Sequence, residues 1–207
     1  MNKQALAIIL SKLKTFSESN LSLEQYQTPS DLASDVLWSA FMQGDIKGKK
    51  VADLGCGNGI FGIGALLLGA KEVYFVDKDQ AMIELAKTNI SGIKTPLGKT
   101  FSNVSFMNLE ISFFSTPVDV VFQNPPFGVQ EAGADRPFLD KAMELSLSLY
   151  SLHKIESKEF LKNYSQEHGF TLKGILKFQF PLRPTQSFHT KQKHLVEVGC
   201  FIFRKKN

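Results

Sequence analysis

Asn124-Pro125-Pro126-Phe127 closes the run Val118-Asp119-Val120-Val121-Phe122-Gln123, and the reading of the whole chain turns on that junction. A β-branched and aromatic run cut off by two prolines reads as a buried strand with an abrupt end. Proline has no N–H and a fixed φ, so the chain past Asn124 is stiff and its carbonyls face no ladder partner. A side-chain amide, a bare carbonyl and an aromatic ring then follow one another. Two acceptors and a flat face are what is needed to hold a planar ligand that carries an amino group. A proline-ended strand with a core Phe accounts for the same four residues, so the neighbouring elements must decide.

Upstream, strand and helix alternate. Lys50-Val51-Ala52-Asp53-Leu54 predicts a strand, followed by Gly55-Cys56-Gly57-Asn58-Gly59 and a helix over 60–68. A strand at 72–76 ends in Asp77, a helix follows over 80–90, and further strands fall at 103–108 and 118–123. Downstream come a helix over 138–147, a strand near 148–152 and a helix over 157–168. Two long apolar runs, 171–181 and 195–204, close the chain as a hairpin. This alternation specifies an α/β, Rossmann-like fold: a seven-stranded, mostly parallel sheet with an antiparallel C-terminal hairpin. Ligands of such sheets bind at the carboxyl ends of the strands, which puts residues 55–59, Asp77, Glu110 and Asn124 on one rim.

An N-terminal helical extension precedes the sheet. Leu6, Ile9, Leu10, Leu13 and Phe16 recur at helical spacing and predict an amphipathic helix over 2–18. A second helix is expected over 30–42, with Thr28 as N-cap, Pro29 in the first turn and Asp31 completing a capping box. Gln25 and Tyr26 are surplus to that cap and suggest ligand contact. Residues 1–45 are expected to pack on the core and close over a cofactor, within one domain spanning 1–207.

Composition narrows the class. The 207 residues, 43% of them hydrophobic, are enough for one full core. A net charge of +4 permits an anionic partner without requiring one. Cys56 and Cys200 form no disulfide or metal framework, and the four histidines stand at no ligand spacing to them, so no metal is expected. The first residues lack a cleavage-like signal and no run approaches a membrane span, which together favour a cytoplasmic protein.

Closely spaced glycines between a strand and a helix let the backbone turn sharply and bring its N–H groups close to a ligand. Asp77, at the end of the following strand, is where a ribose-binding carboxylate belongs. Gly57-Asn58-Gly59-Ile60-Phe61-Gly62 also satisfies the dinucleotide fingerprint, so a nicotinamide enzyme stays open on this feature alone. Two features favour an adenosyl sulfonium over a pyrophosphate. Asp53 adds negative charge beside the loop, and the Asn124 motif has no part in hydride transfer. Asp53 as a plain organiser of the loop is the competing reading.

Asp53-Leu54-Gly55-Cys56-Gly57-Asn58-Gly59 resembles the first motif of class I S-adenosylmethionine-dependent methyltransferases. Asn124-Pro125-Pro126-Phe127 resembles the motif of their amino-methylating branch. Leu23-Glu24-Gln25-Tyr26-x-Thr28, Phe127-Gly128, Tyr150-Ser151-Leu152-His153-Lys154 and Phe188-His189-x-Lys191 are similar to segments of the archaeal and eukaryotic methyltransferase-like protein five family. That family methylates N6 of an adenosine in small-subunit ribosomal RNA. Glu110 departs from the family's usual aspartate in the adenine-binding motif.

The resemblance implies S-adenosylmethionine as cofactor. It implies Asp77 on the ribose hydroxyls, Gly55, Gly57, Asn58 and Gly59 along the methionine and ribose, and Asp53 beside them. Gln25, Tyr26 and Thr28 would close the site, and Glu110 would face the adenine. Asn124 and the Pro125 carbonyl would accept from the target amine, Pro126 would stiffen the turn and Phe127 would stack on a flipped-out base. Arg183, Phe188, His189, Lys191 and Lys193, between the closing strands, would meet RNA, with a small zinc-binding activator subunit as a further partner. DNA adenine, a protein glutamine amide and a catalytically silent rRNA-binding scaffold remain alternative readings of the same motifs.

Overall fold

A computed structural model describes residues 1–15, 26–93, 101–127, 133–182 and 194–206 of the chain. The helices among them are α1 (Lys3–Leu10), α2 (Ser30–Met42), α3 (Ile60–Leu67), α4 (Gln80–Ser91), α5 (Arg136–Leu145) and α6 (Lys158–Glu167). The strands are β1 (Lys50–Leu54), β2 (Glu72–Asp77), β3 (Val104–Asn108), β4 (Val120–Gln123), β5 (Ser148–Lys154), β6 (Phe170–Leu182) and β7 (His194–Lys205). Their order in the sheet is β3-β2-β1-β4-β5-β7-β6. β1 to β5 pair in parallel, whereas β7 is antiparallel to both β5 and β6. Two reversals cancel, so β6 runs with the parallel strands and β7 alone runs against them.

Successive strand residues face opposite sides of the sheet. Val51, Val73, Phe75, Phe122 and Tyr150 pack beneath α1 to α4. Ala52, Tyr74, Val76, Val121 and Leu149 pack against α5 and α6. Helices on both faces bury both sides of the strands, which explains their continuous apolar runs. The chain leaves β1 towards β2 and β3, then crosses back to β4 on β1's other side. That reversal opens a crevice at the carboxyl ends of β1 and β4, where Asn124 follows β4.

Several predicted helix ends differ. α1 is expected to reach residue 18 but stops at Leu10, where Lys12 and Leu13 bond only three residues back. The cause is Asn89 on α4: its Oδ1 accepts from the Lys14 N–H at 2.8 Å and its Nδ2 donates to the Lys14 carbonyl at 3.0 Å. These backbone groups would otherwise continue the helix. Phe16 lies outside the described residues. At α2, Pro29 and not Thr28 takes the N-cap position, and no side chain caps that end. α5 starts two residues earlier than expected because Pro137, with its fixed φ, suits a first turn. Among the described residues no helix is long and apolar enough to cross a membrane.

Candidate active site

The glycine loop leaves β1 through Gly55 (φ 66°), Gly57 (φ 52°) and Gly59 (φ 82°), all in the left-handed region. At Gly55 a second constraint applies: a Cβ there would stand 2.9 Å from the Phe138 ring of α5. Only glycine satisfies both the backbone and the close approach. The Gly55 and Cys56 N–H groups donate to the Val76 carbonyl at 2.8 and 3.0 Å, locking the loop to β2.

Asp77 ends β2 and is almost fully buried, at 8% exposure. Its Oδ2 accepts from the Gly57 N–H at 2.9 Å and its Oδ1 from the Asp79 N–H at 3.0 Å. Burial raises its pKa above the usual carboxylate range, and those two N–H bonds offset part of the rise. Each carboxylate oxygen keeps a second lone pair, so two hydroxyl donors can still be taken.

Asp53 is buried on β1, and its Oδ2 accepts from the Gly62 N–H at 2.8 Å, inside the first turn of α3. Its pKa is pushed up to about 8, by burial first and by the neighbouring Asp77 charge as a smaller cause. Asp53 therefore organises the loop as well as lining the cleft. Asn58 also lines it, but the Asn58 Nδ2 donates to the Lys14 carbonyl at 3.2 Å. Asn89 Nδ2 donates to the Asn58 carbonyl at 3.0 Å, so one α4 side chain ties the N-terminal segment to the glycine loop. Sequence reasoning missed Asn89. The available signal was an asparagine at a buried helical position, where that residue is disfavoured without a polar partner.

Tyr26, Thr28, Gly55, Gly57, Asn58 and Asn124 surround a cleft, with Cys56, Ile60 and Phe61 among its apolar lining. Asn124 ties the two sides together. Its Nδ2 donates to the Tyr26 carbonyl at 3.2 Å and to the Thr28 Oγ1 at 3.1 Å. A carbonyl can only accept, so these bonds fix which way the amide points. Asn124 Oδ1 is left buried with no partner among the described residues. A buried acceptor without a donor is costly; Gln123 Oε1 is in the same state, but of the two residues only Asn124 lines the cleft, where a ligand N–H can reach it.

Phe127 stacks on Tyr26 at 5.6 Å between ring centroids and meets Phe180 edge-on at 5.6 Å. Together the three rings make an aromatic wall beside Asn124. Glu110 does not join this group: it is exposed, and its carboxylate stands 3.9 Å from Lys78 Nζ. Gln25, Arg183, Phe188, His189, Lys191 and Lys193 lie outside the described residues. Among the described residues no three His, Cys, Asp or Glu side chains gather as metal ligands would.

The chain's own groups fit S-adenosylmethionine, the cofactor that the sequence resemblance implies. Asp77 offers two acceptor sites where ribose hydroxyls would lie, and the loop carries no side chain at Gly55, Gly57 or Gly59 to obstruct the ligand.

Residues 26–145 match the methyltransferase small domain. A Pyrococcus horikoshii protein, solved as a candidate RNA methyltransferase, is similar with a TM-score of 0.89 at 41% identity, covering 100% of this chain and 99% of its own. A Methanocaldococcus jannaschii protein is 34% identical over 99% of this chain and 94% of its own length. The rRNA N(6)-adenosine-methyltransferase METTL5 of Danio rerio is 28% identical over 98% of this chain and 99% of its own. The glycine loop and the Asn-Pro-Pro-Phe turn thus stand on one rim of a fold shared with these proteins along nearly their whole lengths, and the chain belongs to the methyltransferase small domain family of S-adenosylmethionine-dependent enzymes.

Proposed function

We propose that this methyltransferase acts on RNA and methylates N6 of an adenosine, in small-subunit ribosomal RNA. The carrying observation is the buried, partnerless Asn124 Oδ1, aimed by the two bonds of its own amide nitrogen. The name of the Danio rerio relative supports the choice of nucleotide.

S-adenosylmethionine supplies a methyl group on a sulfonium. The protein's task is to present a weak nucleophile to it. An exocyclic adenine amine is uncharged at neutral pH and its lone pair is conjugated with the ring. Asn124 Oδ1 accepts one N–H and the Pro125 carbonyl the other, which favours a pyramidal nitrogen and offsets the positive charge that grows on it. Pro126 keeps the turn rigid, and Phe127 receives the face of the flipped-out base once Tyr26 makes room. No strong base is needed, and the proton leaves to water afterwards. Gln25, Tyr26 and Thr28 close the site from the N-terminal helices, and Arg183, Phe188, His189, Lys191 and Lys193 meet RNA phosphates and bases between β6 and β7.

A zinc-binding activator subunit completes the reading. β3 is an edge of the sheet, and Phe113 just beyond it is 75% exposed. Phe106 stacks on Phe75 and Phe114 is buried, so of the three rings only Phe113 is available to a partner.

The deciding experiment is mass spectrometry of nucleosides from ribosomal RNA of a deletion strain, with methylation restored in vitro by the purified chain, with and without the activator. Loss of N6-methyladenosine from small-subunit RNA is expected. Faster methylation of duplex DNA or of a protein glutamine would overturn the proposal.

A further inference from the structure

A buried polar chain lies on the far side of β4 from Asn124, and the chemistry above does not use it. Gln123, the residue before Asn124, is fully buried, and its Nε2 donates to Ser151 Oγ on β5 at 2.9 Å. The two residues are direct partners in the β4–β5 register. Ser151 Oγ stands 2.6 Å from His153 Nε2, and His153 Nδ1 stands 3.3 Å from Asp135 Oδ2. Ser151 and His153 are as buried as Gln123, and the Phe201 ring packs edge-on against the imidazole.

The direction of the chain follows from its donors. Ser151 Oγ already accepts from Gln123, so its own proton is free for His153 Nε2. In that arrangement the imidazole keeps its own proton on Nδ1, facing Asp135. Burial is the largest influence on Asp135 and raises its pKa, but the His153 contact, a backbone hydrogen bond and the Arg136 charge together outweigh it and hold the carboxyl below its usual range.

Its ends matter most. Gln123 directly precedes the Asn124-Pro125-Pro126-Phe127 turn, and Asp135 is the N-cap residue of α5 downstream of it. From α5 the Phe138 ring reaches Gly55 in the cofactor loop. Gln123 Oε1 is buried with no partner among the described residues, and apolar residues at Gln123, Ser151 and His153 would pack this face at less cost, so stability does not account for the polar chain. Ser151, His153 and Asp135 also have the residue types of a hydrolytic triad, but a fully buried serine has no access to a substrate.

We propose that Gln123, Ser151, His153 and Asp135 act as a positioning staple across the active-site turn, fixing both its ends to β5 so that Asn124 Oδ1 and the Gly55 loop keep the geometry for methyl transfer. This rests on Asn124 being the amine acceptor.

The test compares Asp135→Ala, Asp135→Asn, Ser151→Ala and the Asp135→Ala/Ser151→Ala double variant, with Asn124→Ala as reference, in the full chain. Circular dichroism checks folding, calorimetry gives S-adenosylmethionine affinity, and initial rates on an RNA fragment separate kcat from KM. Asp135 is at the edge of the cluster, so its variants inform even where changes deeper in the core fail to fold. Asp135→Ala is expected to lower kcat about tenfold, as a misplacement of a fraction of an ångström does, with cofactor affinity within about twofold. The amide oxygen introduced by Asp135→Asn still accepts from His153 Nδ1–H and should restore most of kcat. Members of one chain fail together, so the double variant should be no slower than the slower single one. Unchanged kcat in Asp135→Ala, a kcat in Asp135→Asn as low as in Asp135→Ala, or multiplicative losses in the double variant would each overturn the staple. Normal turnover in Asn124→Ala would instead remove the active-site reading beneath it.

Discussion

Replacing Asn124 by Ala removes two separable functions, and the structure sets a magnitude for each. Oδ1 is a preorganised acceptor in a buried place, and losing one such group costs about 3–4 kcal/mol of transition-state stabilisation, a hundredfold or more in rate. Nδ2 holds the Tyr26 carbonyl at 3.2 Å and the Thr28 hydroxyl at 3.1 Å, both in the segment that lines the cofactor cleft. A neutral hydrogen bond contributes about 1 kcal/mol net. Water can partly replace the donor at the half-exposed Tyr26, so the segment loses roughly 1 kcal/mol in all, or about fivefold in cofactor affinity. The amide thus faces the base through its oxygen and the cofactor side through its nitrogen, in keeping with a place for Asn124 in both the catalytic and the cofactor-binding sets of residues. Thr28→Val separates the two roles, since it deletes one Nδ2 bond and leaves Oδ1 in place. Calorimetry with S-adenosylmethionine and single-turnover methylation of an RNA fragment read the two quantities independently. Asn124→Ala should lose about a hundredfold in turnover, and Thr28→Val less than about fivefold. If Thr28→Val proves as slow as Asn124→Ala, the amide acts by holding the N-terminal segment and the acceptor mechanism is wrong.

Asp77→Ala should lose roughly 2–3 kcal/mol of cofactor affinity by calorimetry, the contribution of charge-assisted bonds to the ribose, with the fold intact; unchanged affinity would remove the ribose assignment. Asp53 has a folded-state pKa near 8 against 3.8 for the free group, so the folded chain binds the extra proton between those values, and stability should fall as pH rises from about 4 to 8. Asp53→Asn keeps an acceptor for the Gly62 N–H and should flatten that slope in a pH series of melting temperatures; an equally steep slope would place the effect elsewhere. Replacing Arg183, Lys191 and Lys193 together by Gln should flatten log RNA affinity against log salt by roughly 2, at about 0.7 per phosphate contact, without changing cofactor binding. Phe113→Ser should abolish co-elution with a zinc-binding activator while leaving cofactor affinity intact; full activity of the chain alone, with no co-elution, would count against that partner.

What the sequence disclosed, and what it withheld, divides along a physical line. The strands were legible because burial on both faces writes itself as β-branched runs, and the turn after β4 because two prolines leave few conformations open. The expectation that Gly55, Asp77 and Asn124 stand on one rim rests on the same ground, because a strand end can be read locally. Asn89 and the Gln123–Asp135 chain were not legible, since each does its work through partners made adjacent only by folding. Asn89 shortens α1 from 75 residues away. Ser151 meets Gln123 because β4 and β5 pair in one register, and a slip of one residue would turn both side chains to the opposite face. Asp53 shows the same division within a single side chain. Its position beside a glycine loop suggested cofactor contact, while its bond to Gly62, set by the first turn of α3, shows that it also builds the loop the cofactor would need. A polar residue inside an apolar run is therefore the mark to follow: Gln123, Ser151 and His153 each interrupt a buried strand, and each bonds to a neighbour that one-dimensional reading could not supply.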